Sequence, residues 1–137
     1  MKVRPAAAAD IPAVLELWTR ARSAGASLRD DEEMIERLLE ADPDALLLAE
    51  RDGELVGTLI AAWDGWRGNM YRLAVAPEHR RQGIGRRLVE EGERRLRGRG
   101  ARRVSALVWR DDPPAYAAWE AAGYADDSGV ARFVRNM

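Results

Sequence analysis

The stretch Val75-Ala-Pro-Glu-His-Arg-Arg-Gln-Gly-Ile-Gly-Arg86 decides how this chain is read. It begins where an apolar run ends at Val75, and it leads into a helical pattern that starts near Gly83. Two glycines at i and i+2 stand among arginines where a strand gives way to a helix. The first turn of a helix carries backbone N–H groups with no acceptor in the helix, and the dipole places partial positive charge there. Glycine lets an anion approach the backbone, and Arg80, Arg81 and Arg86 add full charges. Crowding Arg80, Arg81, Arg86 and Arg87 around a helix N-terminus opposes the dipole unless an anion binds. The stretch therefore predicts a phosphate-binding turn.

Three glycine-rich phosphate motifs compete. A P-loop needs G-x-x-x-x-G-K-[ST], and the chain's one lysine is Lys2. A dinucleotide fingerprint needs a third small residue where Leu88 stands, and a turn tight against the strand. The third motif, [RQ]-x-x-G-x-[GA], is matched in full by Arg80-Arg-Gln-Gly-Ile-Gly85. Two further segments stand around it in register. Leu73-Ala-Val-Ala-Pro77 carries V-x-P before the loop, and Trp119-Glu-Ala-Ala-Gly-Tyr124 carries E-x-x-G-Y after it.

Together these segments resemble the GNAT superfamily of N-acetyltransferases, whose members bind acetyl-CoA through such a loop. The resemblance is specific over about 45–124. It implies that Leu73, Ala74 and Val75 pair with the pantetheine amides. It further implies that Arg80, Arg81, Gln82, Gly83, Ile84, Gly85 and Arg86 hold the pyrophosphate. Asp112 stands where many members carry a CoA-contacting Asn. Trp119 stands where many carry a Tyr that protonates the departing sulfur, and indole has no proton to give at neutral pH. Leu107 stands where some relatives place a Glu base. The catalytic acid and base are therefore left unassigned. Tyr116, one turn before Trp119, reads first as a tyrosine packed on the sheet and second as a local substitute; Tyr71, on the strand before the loop, is another candidate. Asp64 and Arg67 either meet substrate or shape their turn. His79, the one histidine, falls at a variable loop position.

Composition narrows the classes. With 137 residues the chain predicts one domain, 1–137, with a core of useful size. Zero cysteines exclude disulfides, thiolate metal sites and a cysteine nucleophile, and no metal is expected. No apolar run approaches the roughly 20 residues of a membrane span. No leader is evident, so a soluble, cytoplasmic protein without membrane partners is expected. Net charge is −1, unevenly spread: the first 54 residues are acidic, whereas 79–103 are dense in arginine. Phosphates of a cofactor and a solvated helix face account for that basic stretch. No nucleic-acid partner is expected, and a homodimer is a family-level expectation.

Periodicity gives the order β-α-α-β-β-β-α-β-α-β. Lys2–Pro5 reads as an edge strand. A helix capped by Asp10 runs to about Arg22, and Ser23–Ser27 breaks it. Asp30–Glu40 reads as a helix with Met34, Ile35, Leu38 and Leu39 on one face. Strands follow at 45–50, 55–63 and 69–75, with Asp52-Gly53 as a hairpin turn. The helix 83–97 turns Ile84, Leu88, Val89 and Leu96 inward. A strand is expected at 103–109, a helix at 113–122 and a last strand at 130–134. The fold class is α/β with a mixed, mostly antiparallel central sheet flanked by helices. In the GNAT pattern, strands 69–75 and 103–109 splay to admit pantetheine. The function this implies is acetyl transfer from acetyl-CoA to a primary amine of a small molecule or a protein or peptide, by direct attack in a ternary complex. The alternative is a catalytically silent acyl-CoA-binding regulatory or sensor domain.

Overall fold

Alternation within Leu46-Leu-Leu-Ala49 sets the layers of the molecule, since successive strand residues face opposite sides. Leu46 and Leu48 pack with Ile11, Val14, Trp18 and Ile35, whereas Leu47 and Ala49 pack with Ile84, Leu88, Leu96 and Trp119. Two helices thus cover each face of the sheet. The structure, a computed structural model, describes residues 1–21 and 31–137. The expected break at Ser23–Ser27 lies outside the described residues.

The order is β1 (Lys2–Pro5), a 3-10 turn (Ala8–Asp10), α1 (Ile11–Arg20), α2 (Glu32–Ala41), β2 (Leu46–Arg51), β3 (Glu54–Trp63), β4 (Gly68–Val75), a second 3-10 turn (Pro77–His79), α3 (Ile84–Arg99), β5 (Val104–Ala106) and α4 (Pro113–Ala121). The sheet runs β1-β2-β3-β4-β5, with the first three pairs antiparallel and β4–β5 parallel. This is the mixed, mostly antiparallel α/β sheet expected from the sequence. Asp52 (φ 53°) and Gly53 (φ 77°) both take left-handed backbone, as a tight β2–β3 hairpin requires. Ile84, Leu88, Val89 and Leu96 are buried as the helical spacing demands.

Several expectations are corrected. The strand expected at 103–109 is paired only over Val104–Ala106, because β4 turns away from it beyond Met70. The strand expected at 130–134 does not form, and Val130, Phe133 and Val134 are 68%, 95% and 71% exposed. In strand geometry Val130, Arg132 and Val134 would share one face and Ala131, Phe133 and Arg135 the other, so neither face is apolar throughout. The described elements therefore end on α4. Met34 is exposed rather than inward, while Ile35 carries the burial of α2. Asp10 stands at the start of α1, but its carboxylate does not cap that helix. It accepts the Ala7 N–H at 2.8 Å and binds both terminal nitrogens of Arg4 at 2.8 Å. Arg4 also reaches Glu50, so one guanidinium ties β1, β2 and the first turn together.

Candidate functional site

The site is organised by the point where β4 leaves β5. The parallel ladder joins Gly68 to Val104, Asn69 to Ser105 and Met70 to Ala106. The Leu107 N–H still reaches the Met70 carbonyl, at 3.4 Å. Beyond it the strands part, and Ala74 and Val75 pair with Thr58 and Gly57 of β3 on their other side. A bulge marks the parting: two steps on β3, Thr58 to Ile60, face three on β4, Ala74 to Tyr71. Arg72 occupies the bulge with φ at 56°, a left-handed value rare for a residue with a side chain. Neither the bulge nor the buried Thr58 is legible from periodicity. The only signal is a lone hydroxyl in the apolar run Leu55-Val-Gly-Thr-Leu-Ile60.

Across the parting lies the loop that leads into α3. Arg81 (φ 63°) and Gly83 (φ 79°) both take left-handed backbone, which turns the chain sharply into the helix. A Cβ on Gly83 would meet no atom within 4 Å, so the loop backbone is open at its centre. Gly83 starts the helix, its carbonyl accepting the Arg87 N–H at 3.0 Å. The amides of Ile84, Gly85 and Arg86 belong to the first turn and have no acceptor within the helix. Gly85 links loop and strand: a Cβ there would lie 3.7 Å from Val75 Cγ2 and 4.0 Å from Leu73 Cδ1.

The charges around the loop divide into two groups. Arg86 and Arg87 point along α3 to Glu90 and Glu91, at 3.3 and 3.1 Å. Their crowding at the N-terminus is thus relieved by ordinary i,i+4 pairing. Arg80 and Arg81 are exposed, and no carboxylate among the described residues pairs with them. Gln82 accepts a hydrogen bond from Arg51 Nη1 through its side-chain oxygen, which anchors the loop to the end of β2. His79 is half-buried beside the loop, its Nδ1 enclosed and without a hydrogen-bond partner among the described residues.

The other candidates have definite places. Asp112 caps α4, its Oδ1 accepting the Ala115 N–H at 3.2 Å. Trp119 is buried on α4, with its ring 4.9 Å from that of Tyr124 and nearly perpendicular to it. Tyr116 donates its hydroxyl to Asp126 Oδ2 at 2.7 Å, and this carboxylate also pairs with Arg110. That hydrogen bond raises the Tyr116 pKa above its ordinary value, which makes it a poorer acid. Asp64 accepts the N–H groups of Trp66 and Arg67 at 2.8 and 2.7 Å, and these bonds lower its pKa. It therefore shapes the β3–β4 turn, where Arg67 stacks on Trp66 with 4.4 Å to the ring centre. Tyr71 on β4 and Leu107, just past β5, are exposed, at 38% and 44%. The loop and the Leu73–Val75 segment are brought together; Tyr116 is tied to Asp126 instead.

Comparison with known proteins agrees with this geometry. The model of the Acetyltransferase (GNAT) family matches residues 11–124. An acetyltransferase of Pectobacterium atrosepticum is 36% identical over 124 residues, covering 90% of this chain and 87% of that protein. A ribosomal-protein-alanine N-acetyltransferase structure from Brucella melitensis superposes with a TM-score of 0.72 at 26% identity, covering 90% of this chain and 83% of that one. The Salmonella typhimurium protein yncA, solved with its cofactor acetyl-CoA, superposes with a TM-score of 0.75 at 21% identity, covering 90% of this chain and 78% of that one. Among the described residues, no helix is long and apolar enough to cross a membrane. A glycine-opened helix start beside a parted parallel strand pair, matched by a family model over most of its length, places this chain in the acetyltransferase (GNAT) family.

Proposed function

We propose that the chain transfers an acetyl group from acetyl-CoA to a primary amine, of a small molecule or of a protein or peptide. One observation carries this reading. Leu73–Val75 lies beyond the last β4–β5 pair, at Met70–Ala106, and Gly85 in the first turn of α3 is within van der Waals reach of Leu73 and Val75. An elongated ligand with an anion at one end and amides along its length fits that juxtaposition. Acetyl-CoA has this form. Loop amides from Arg81 to Arg86 would take the pyrophosphate, with Arg80 and Arg81 adding charge. Leu73, Ala74 and Val75 would pair with the pantetheine arm. Asp112 and Trp119, at the start and on the inner face of α4, would bound the thioester end.

The chemistry is a direct attack. The neutral amine forms a bond to the thioester carbonyl carbon, the C–S bond breaks, and the amine's proton leaves to water or base. A strand N–H near Val75 can stabilise the oxygen as charge develops on it. Thiolate is a good leaving group, so the absence of an acid at Trp119 does not forbid turnover. Release of free CoA thiol, followed across a panel of small amines and peptide N-termini, tests the proposal. At acetyl-CoA about 100 times its Kd the fold should also gain about 2.7 kcal/mol.

A second reading is favoured by one specific observation. The positions that carry acid and base in some relatives hold Trp119 and Leu107, and the Tyr116 hydroxyl is held by Asp126. A silent acyl-CoA-binding sensor would have those features. It predicts stabilisation by acetyl-CoA without thiol release on any amine.

A further inference from the structure

Thr58 is a buried polar side chain in an otherwise apolar core, with no exposed surface. It sits opposite the bulge and satisfies both halves of its hydroxyl. Its oxygen accepts the Trp18 indole N–H at 2.8 Å, and its proton goes to the Arg72 carbonyl at 2.9 Å. The guanidinium of the same Arg72 lies over the Trp18 ring, 5.0 Å from its centre. One indole on α1 therefore holds the bulged residue twice, through Thr58 to its carbonyl and across its ring face to its side chain. Arg72 needs such a hold, because left-handed backbone in a non-glycine residue persists only when its surroundings impose it. Packing alone asks for no hydroxyl here. A valine would fill the same space and remove both hydrogen bonds.

We infer that Thr58, backed by Trp18, is a positioning residue for the acyl donor. By locking the Arg72 bulge it sets where β4 leaves β5 and how Leu73, Ala74 and Val75 present their backbone to the ligand. The inference rests on the acetyl-CoA reading above. It adds residues that touch no part of the ligand, reached from the opposite face of the sheet.

The test uses the full chain and three variants, Thr58→Val, Thr58→Ser and Trp18→Phe. Acetyl-CoA affinity is measured by calorimetry, and amide exchange at Arg72–Val75 is followed in the same samples. Thr58→Val removes the hydrogen bond to the Arg72 carbonyl, and Trp18→Phe removes the indole donor that orients the Thr58 hydroxyl, so each should weaken acetyl-CoA binding about tenfold. Exchange at 72–75 should speed up in both, and Thr58→Ser should stay within about threefold of the unaltered chain on each measure. A purely structural role would lower the melting temperature and leave the affinity of the folded fraction unchanged. That result, in Thr58→Val or, if it does not fold, in Trp18→Phe, would overturn the inference alone. An unaltered chain that does not bind acetyl-CoA would overturn the proposed function and this inference with it.

Discussion

Gly57 on β3 lies so close to Ile84 at the start of α3 that a Cβ on it would fall 2.9 Å from Ile84 Cγ2. The same Cβ would meet Leu88 Cδ1 at 2.9 Å and the Ala74 carbonyl at 3.3 Å. The N-terminal end of α3 is thus seated on the strand pair by a missing side chain. Gly57→Ala would push α3 off the sheet at the end that matters. We expect a loss of about 1–3 kcal/mol, the usual range for overpacking a tight core, read from the urea midpoint. Acetyl-CoA affinity should fall with it. An unchanged midpoint would show that α3 can shift without cost.

The loop glycine has a different requirement. Gly83 has open space around its Cβ position, so its constraint is the left-handed φ of 79°. Asn tolerates that conformation and Val does not. Gly83→Asn should cost less than about 1 kcal/mol, and Gly83→Val about 1–2 kcal/mol, by chemical denaturation. Both place a side chain where the loop is open, so both should weaken acetyl-CoA binding whatever their stability.

Arg80 and Arg81 should act through charge. Removing the pair by Arg80→Ala with Arg81→Ala should weaken acetyl-CoA about tenfold at low salt, at roughly 0.5–1 kcal/mol for each exposed charge. The deficit should shrink as salt is raised, because exposed charges are screened. Calorimetry at two ionic strengths reads this. Arg86→Ala should do less, since Arg86 is already paired with Glu90.

Much of this was legible in the chain. The loop stood out as two glycines among arginines at a strand-to-helix junction, and the inward face of α3 followed from its spacing. Core strands with clean alternation, such as Leu46–Ala49, were placed within a residue. What escaped depends on partners remote in sequence. The bulge at Arg72 is tied to Thr58 and Trp18, 14 and 54 residues away. No local propensity encodes that. The strand expected at 103–109 shrank for the same reason, since its far half loses its partner where the bulge turns β4 aside. The segment at 130–134 misled because it is rich in β-formers, yet its apolar residues divide between two faces. Asp10 misled because a capping residue type can equally serve an arginine nearby.

That aspartate gives a pH prediction. The hydrogen bond from Arg4 holds the Asp10 pKa down, from 3.8 to about 2. A carboxylate with a lowered folded pKa binds protons more readily when unfolded. Its contribution is complete above about pH 4 and is lost as pH falls through about 2. At neutral pH Asp10→Asn should melt about 3–6 °C lower, for roughly 1 kcal/mol of partly exposed pairing. The two melting curves should converge between about pH 4 and pH 2. A gap that persists well below pH 2 would show that the charge of Asp10 is not what the substitution removes.

The most direct test of the whole account is a residue-resolved titration of the chain with acetyl-CoA, followed by backbone amide chemical shifts. The amides of Arg81–Arg86 and of Leu73–Val75 should move together along one binding curve. Shifts confined to another surface, or none at millimolar acetyl-CoA, would contradict it.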